Sequence, residues 1–314
     1  MKRMIKYFMY IALACVMVRL WAPISSSLTQ SIQKSVTAVR GAVADAQANL
    51  TRAQAGQGQG FDLTSNDLVT MCAEIPKPGN LKGKETAILV VDMQVCFCGT
   101  ALYDKSPNDL SASEKDELAA LKDKHKLSSA ENRKPIQPIQ ALLARARAAG
   151  ATIAYTRDCH VPRRDWREFC RFGFHCLCND DSSTSVVPEL APRSSDIIIK
   201  KPNYDAFFNT NLHDQLQAKK IKNLVVVGVL ANVCVYHSAA HGGLLGYNVI
   251  VPGDCTAGIP SDVPTFEQSL TKAPGELLFL PHQQGKVTHW DAALWMIRWL
   301  FGNTVANGTE IQFT

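Results

Sequence analysis

The segment Leu224-Val225-Val226-Val227-Gly228-Val229-Leu230-Ala231-Asn232-Val233-Cys234-Val235 contains a change of pattern from which the architecture can be built. Its first six residues are five aliphatic side chains and one glycine. A short run rich in β-branched residues, with no alternating polar positions, reads as a strand covered on both faces, as in a parallel sheet. From Val235 to Leu245 the pattern becomes helical, and Gly246 closes it. Cys234 stands where strand gives way to helix, where free N–H groups and the helix dipole favour a thiolate.

The same alternation extends both ways. Toward the N-terminus come the apolar runs Ala87–Val91, Ala151–Tyr155 and Ile197–Ile199. Ile136, Ile139, Leu142 and Leu143 lie on one helical face ending at Gly150, and a helix is predicted from Asn211 to Lys219. Toward the C-terminus come strands at Val249–Val251 and Leu277–Leu280, with a helix near Phe266–Lys272 between them. The last helix, Trp290–Leu300, is read with Ala293, Trp295 or Met296, and Leu300 facing inward. Six strands with intervening helices predict an α/β chain: a three-layer α/β/α sandwich around a mostly parallel, Rossmann-like six-stranded sheet. No GxGxxG follows the first strand, so nothing supports a dinucleotide site.

The net charge of +5 over 314 residues is unevenly placed. Residues 1–60 hold seven bases and one acid, and the remaining 26 bases and 27 acids nearly cancel. A near-neutral body lacks the basic face that displaces counterions, so no nucleic-acid partner is expected. Tyr7 to Val18 is an apolar run of 12, preceded by Lys2, Arg3 and Lys6 and ended by Arg19. Residues 1–24 therefore read as a signal peptide or a retained anchor, with a membrane tether through residues 7–24 and an exported or membrane-anchored location. Residues 25–81 read as an amphipathic helix (Leu28, Ile32, Val36, Val39, Val43, Leu50) followed by the linker Ala55–Gly60. The globular body is placed at 82–302, with a charged insertion at 104–134 and a tail at 303–314.

In an open parallel sheet, ligands bind beyond the carboxyl ends of the strands. Asp92 ends one apolar run, Lys201 another, and Cys234 follows a third. A thiol to attack a carbonyl, a carboxylate to take its proton and an ammonium to steady the charge form a complete nucleophilic set. Any one of them alone has an ordinary explanation in packing or capping.

Several blocks occur in unbroken order between Glu85 and Leu300: VVDMQ (Val90–Gln94), TRDCH (Thr156–His160), His175-Cys176, VVPEL (Val186–Leu190), KPNYDAFFNTNL (Lys201–Leu212), GVLANVCV (Gly228–Val235) and Gly246-Tyr247. Together they resemble the isochorismatase-like cysteine hydrolases, which include nicotinamidases, N-carbamoylsarcosine amidases, and ureidoacrylate and biuret hydrolases. The resemblance implies Asp92 as base, Lys201 as triad lysine and Cys234 as nucleophile. It also implies a cis peptide at Val229-Leu230 and an oxyanion hole made by the N–H groups of Leu230 and Cys234. Two departures stand out. Leu230-Ala231 replaces the usual Ala-Thr, and Val95-Cys96-Phe97 replaces Asn-Asp-Phe. Asp158, His160 and His175 match the metal ligands of nicotinamidases, which implies a divalent metal (Zn, Mn or Fe), with Glu168 or Asp165 as a further ligand. Without a metal, TRDCH merely closes a strand. His237 and His241, one turn apart, read as packing or surface residues, and Asp254 as a turn cap.

Eight cysteines remain beside Cys15 and Cys234, and an even count beside an export-like leader suits disulfides, above all within Cys159–Cys178. Family members commonly associate, so a homo-oligomer is expected. The reading is a cysteine-dependent amidohydrolase that cleaves the C–N bond of a small amide or ureide through a thioester. A metal-assisted nicotinamidase is the alternative. From another class, an inert membrane-tethered scaffold is supported only by Leu230 and Cys96.

Overall fold

Among the described residues six strands form one sheet of order β3-β2-β1-β4-β5-β6, every neighbouring pair parallel. They are β1 (Thr86–Val91), β2 (Thr152–Asp158), β3 (Ile197–Lys201), β4 (Asn223–Gly228), β5 (Asn248–Pro252) and β6 (Asn303–Val305). The structure, a computed structural model, describes residues 77–125, 127–165, 169, 175–258 and 286–314. The expected elements at 266–272 and 277–280, like the leader, helix and linker of residues 1–76, lie outside the described residues.

β1 and β4 are buried along their whole length, as their unbroken apolar runs require. Side chains alternate across the pleat, so Ile88 and Val90 of β1 enter one apolar layer while Ala87, Leu89 and Val91 enter the other. The first layer is closed by Ile136, Ile139, Leu142, Leu143 and Ala146 of one helix, Ile136–Ala148. Their spacing of three and four residues makes that face. The second layer is closed by three helices, Leu212–Ala218, Tyr236–Leu244 and His289–Leu300. Helices on both faces of a parallel sheet make the three-layer sandwich expected from sequence.

Two details differ from the sequence reading. Asn303–Val305, assigned there to a tail, pairs in parallel with β5, and Phe313 bridges to the fully buried Leu81. The body thus includes the residues set aside as 303–314, and its N-terminal edge takes in Leu81. On the last helix, Ala293 and Ile297 face inward, while Trp295 and Leu300 are exposed and Trp295 stacks on Trp299. Residues four apart share a face, and Trp295 lies on the opposite one; Leu300 shares the direction of Ala293 but is the last residue of the helix. In the charged insertion, helix Ala112–Lys124 buries none of its residues and starts with a Ser111–Glu114 capping box, which suits a solvated surface element.

The expectation of export or anchoring needs correction. Among the described residues no helix is long and apolar enough to cross a membrane. The longest have 13 residues, and at ~1.5 Å per residue they fall well short of a hydrocarbon core ~30 Å thick. Residues 7–24, on which the expectation rested, lie outside the described residues.

Candidate active site

The strand ends bring together residues far apart in the chain. Asp92 follows β1, Asp158 and Lys201 are the last residues of β2 and β3, and Cys234 lies six residues past β4. Lys201 Nζ is 2.7 Å from Asp92 Oδ2 and 3.6 Å from both Cys234 Sγ and Asp158 Oδ1. It also donates to the carbonyl of Asn203 at 2.8 Å. All four of these side chains are buried.

Local backbone geometry aims these groups. Asp92 has φ +48°, a left-handed conformation that aspartate tolerates better than most residues and that turns the chain sharply off β1. Gly228 has φ +112°, and a Cβ there would lie 2.1 Å from the Val91 carbonyl oxygen. Only glycine lets β4 run this close to the end of β1. Beyond it, the Val229-Leu230 peptide is cis, as the resemblance implied. Ala231–Val235 then form one π-helical turn that leads into helix Tyr236–Leu244, with the Leu230 carbonyl accepting from Val233 N and Val235 N.

Two residues that the sequence reading quoted but gave no role support the acids. Thr156 Oγ1 donates to Asp92 Oδ1 at 2.6 Å and accepts from Asp92 N at 3.0 Å. Gln94 Oε1 accepts from Asp158 N at 2.7 Å, and its Nε2 donates to the carbonyls of Asp158 and Thr184. Threonine and glutamine at strand ends are common, so sequence alone gave no signal for these roles.

Burial and charge set the proton affinities. Burial raises the Asp92 carboxyl above its ordinary value despite the pull of Lys201. Burial would likewise raise Asp158, but Lys201 and His160 outweigh it and hold that carboxyl low. Burial opposes the Lys201 charge, yet Asp158, Asp92 and Cys234 overcome it and keep the ammonium protonated. Burial pushes the Cys234 thiol well up, with Lys201 pulling the other way and a hydrogen bond with Asp92 adding to the rise. The resting pair is therefore a thiol beside a carboxylate of raised basicity, with a fixed cation touching both.

Next to this group Asp158, His160 and His175 each offer a ligand atom, all within 4.8 Å of one another and buried. His160 Nε2 is 2.9 Å from Asp158 Oδ2, and the two imidazoles meet edge-on at 4.8 Å. One carboxylate and two imidazoles suit a first-row divalent metal, and the close convergence of their ligand atoms fits one. Asp165 lies 3.5 Å from His160 Nδ1 and accepts from Val161 N, so it abuts the cluster; Glu168 lies outside the described residues. His237 and His241 do not converge: the first bonds the Val233 carbonyl, the second Asp205. Asp254 accepts from Gly308 N, consistent with a turn cap. The cluster expected to hold a disulfide does so, between Cys159 and Cys178, and Cys96 pairs with Cys176 over 80 residues, a pairing that spacing did not reveal.

Residues 86–268, more than half of the chain, match the isochorismatase domain family model. The chain belongs to the isochorismatase family, and it is a hydrolase. It is 28% identical over 219 residues to the ureidoacrylate amidohydrolase RutB of Stutzerimonas stutzeri, covering 64% of this chain and 81% of that one. To the ureidoacrylate amidohydrolase RutB of Agrobacterium fabrum it is 29% identical over 206 residues, covering 60% and 82%. Among solved structures, a cysteine hydrolase from Pseudomonas syringae pv. phaseolicola superposes with a TM-score of 0.54 at 26% identity, covering 76% of this chain and 94% of that one. Neither the described helices nor these relatives support export or anchoring, and that expectation is withdrawn.

Proposed function

We propose that this hydrolase is a cysteine-dependent amidohydrolase that cleaves the C–N bond of a small amide or ureide through a thioester on Cys234. The observation that carries the reading is the single ammonium of Lys201, within 2.7 Å of Asp92 and 3.6 Å of Cys234. Asp92 takes the thiol proton as the sulfur attacks the substrate carbonyl, and Lys201 steadies the thiolate as it forms. The N–H groups of Leu230 and Cys234 receive the tetrahedral oxyanion; one donor of this kind is worth about 3–4 kcal/mol of barrier. Collapse expels the nitrogen leaving group, which takes the proton from Asp92. Water then attacks the thioester, with Asp92 again as base, and releases the acid and the thiol.

Asp158, His160 and His175 are the residues that would hold a divalent metal, which when bound would act as a Lewis acid beside the substrate. Cys96, one of the two supports for an inert scaffold, is disulfide-bonded, so its departure from the family pattern has a structural use of its own.

The ureidoacrylate relatives favour a ureide over an aromatic amide. Ammonia release from ureidoacrylate, biuret, carbamoylsarcosine and nicotinamide, each with and without added Zn²⁺ or Mn²⁺, tests this. Turnover of a ureide, abolished in Cys234→Ala, is expected. No turnover on any substrate, together with no covalent adduct at Cys234 from an electrophilic amide analogue, overturns the reading.

A further inference from the structure

All four half-cystines of the two disulfides among the described residues flank this site. Cys159 lies between Asp158 and His160, and its partner Cys178 is three residues past His175. Cys176 follows His175, and its partner Cys96 is four residues past Asp92 in the short helix Val95–Cys98. His160 N donates to the Cys176 carbonyl, Cys178 N donates to the His160 carbonyl, and His160 and Leu177 form one isolated parallel bridge. Residues 175–178 belong to no helix or strand. His175 is thus delivered to Asp158 and His160 at the head of an irregular segment stapled covalently twice just after it, once to the short helix beyond β1 and once to the β2 end.

We infer that the two disulfides are positioning devices for the site. Oxidised, they hold His175 against Asp158 and His160; reduced, they release it and turn the enzyme down. The inference rests on reading Asp158, His160 and His175 as part of the site. A water-soluble phosphine reduces both bonds. Each S–S bond takes two electrons and two protons to give two thiols, while phosphorus loses two electrons and gains the oxygen of one water as phosphine oxide. Cys234 is a thiol throughout, so its chemistry is not itself reversed by the reductant.

The test uses the full chain, air-equilibrated and then treated with the phosphine, with Cys96→Ser/Cys176→Ser and Cys159→Ser/Cys178→Ser as separate variants. Peptide mass spectrometry after iodoacetamide should find these four cysteines blocked before reduction and alkylated after it. Amide exchange at His160 and Cys178 should accelerate at least tenfold on reduction, while amides of β1 and β4 keep their protection. Affinity for Zn²⁺ alone should fall at least tenfold and kcat with it, and each variant should show part of the loss without reductant. Free thiols at these positions in the air-equilibrated protein overturn the inference. So do unchanged exchange at His160 and Cys178, or a parallel loss of protection in β1 and β4, which would mark the disulfides as general stabilisers. If the oxidised protein binds no Zn²⁺, the metal reading fails by itself and the exchange result still decides the disulfide role. If a variant fails to fold, the reductant arm on folded protein decides.

Discussion

Thr156→Val isolates the support under Asp92. Valine keeps the shape of threonine and removes one oxygen, which at present donates to Asp92 Oδ1 at 2.6 Å and accepts from Asp92 N at 3.0 Å. A hydrogen bond to a charged group is worth about 1.5–3 kcal/mol. That bond favours the ionised carboxylate, and at about 1.4 kcal/mol per pKa unit its loss raises the Asp92 pKa by about 1–2 units. Burial has already raised this carboxyl, so the two effects act in the same direction. The proposed base must be ionised to work, so the acid limb of kcat/KM should move about 1–2 pH units upward in Thr156→Val and hardly at all in Thr156→Ser. Leaving Asp92 N unpaired in a dry interior costs a further ~1–3 kcal/mol of stability, which should lower Tm by several degrees. The assay is a pH–rate profile for the two variants and the parent, beside thermal melts. A lower Tm with the acid limb unmoved would refute the reasoning, because Thr156 would then be a strut between β1 and β2 with no hold on the proton.

Cys234→Ser should lose at least ~10³-fold in turnover with an unchanged fold, since the hydroxyl is a far weaker nucleophile; retained turnover, read by ammonia release, refutes the assignment. Asp158 is held low in the folded state, so its contribution to stability is present above the unfolded carboxylate value of ~3.9 and is lost as pH falls through the lower folded value. Asp158→Asn should therefore melt earlier than the parent at pH 7, and the two melting curves should converge as pH falls through the lowered folded value; a gap that persists once both states are protonated contradicts the ion-pair account. Gly228→Ala puts a Cβ 2.1 Å from a backbone oxygen at φ +112°, and a left-handed penalty alone is ~1–3 kcal/mol, so loss of soluble protein or a sharply lowered Tm is expected by circular dichroism.

Strands β1 to β5 were legible because each carries an apolar run rich in β-branched residues, unbroken in β1 and β4, which are covered on both sides. Asn303–Val305 was not legible. It is a three-residue edge strand, partly exposed, with no apolar run to mark it, and β5 rather than its own composition makes it a strand. Asp92, Lys201 and Cys234 could be picked out because each ends an apolar segment, and Asp158, His160 and His175 because their pattern had a known counterpart. Thr156 and Gln94 act through atoms 64 residues away across the β1–β2 register, and no local pattern in a single sequence records such a contact. The Cys96–Cys176 bond was hidden for the same reason.

The strand order has a bearing on when the protein becomes reactive. Asp158, Lys201, Asp92 and the turn bearing Cys234 come from β2, β3, β1 and β4, four adjacent strands whose side chains are gathered from positions 92 to 234 of the chain. No subset of these strands contains the whole set. A nascent or partly unfolded chain carries Cys234 as an ordinary cysteine of pKa ~8.5, with neither carboxylate nor ammonium beside it. The amide chemistry proposed for Cys234 would therefore switch on only as the last of the four strands docks. During refolding, the onset of acylation by a slow amide substrate would time the closure of the sheet, and the enzyme would serve as its own stopwatch for folding.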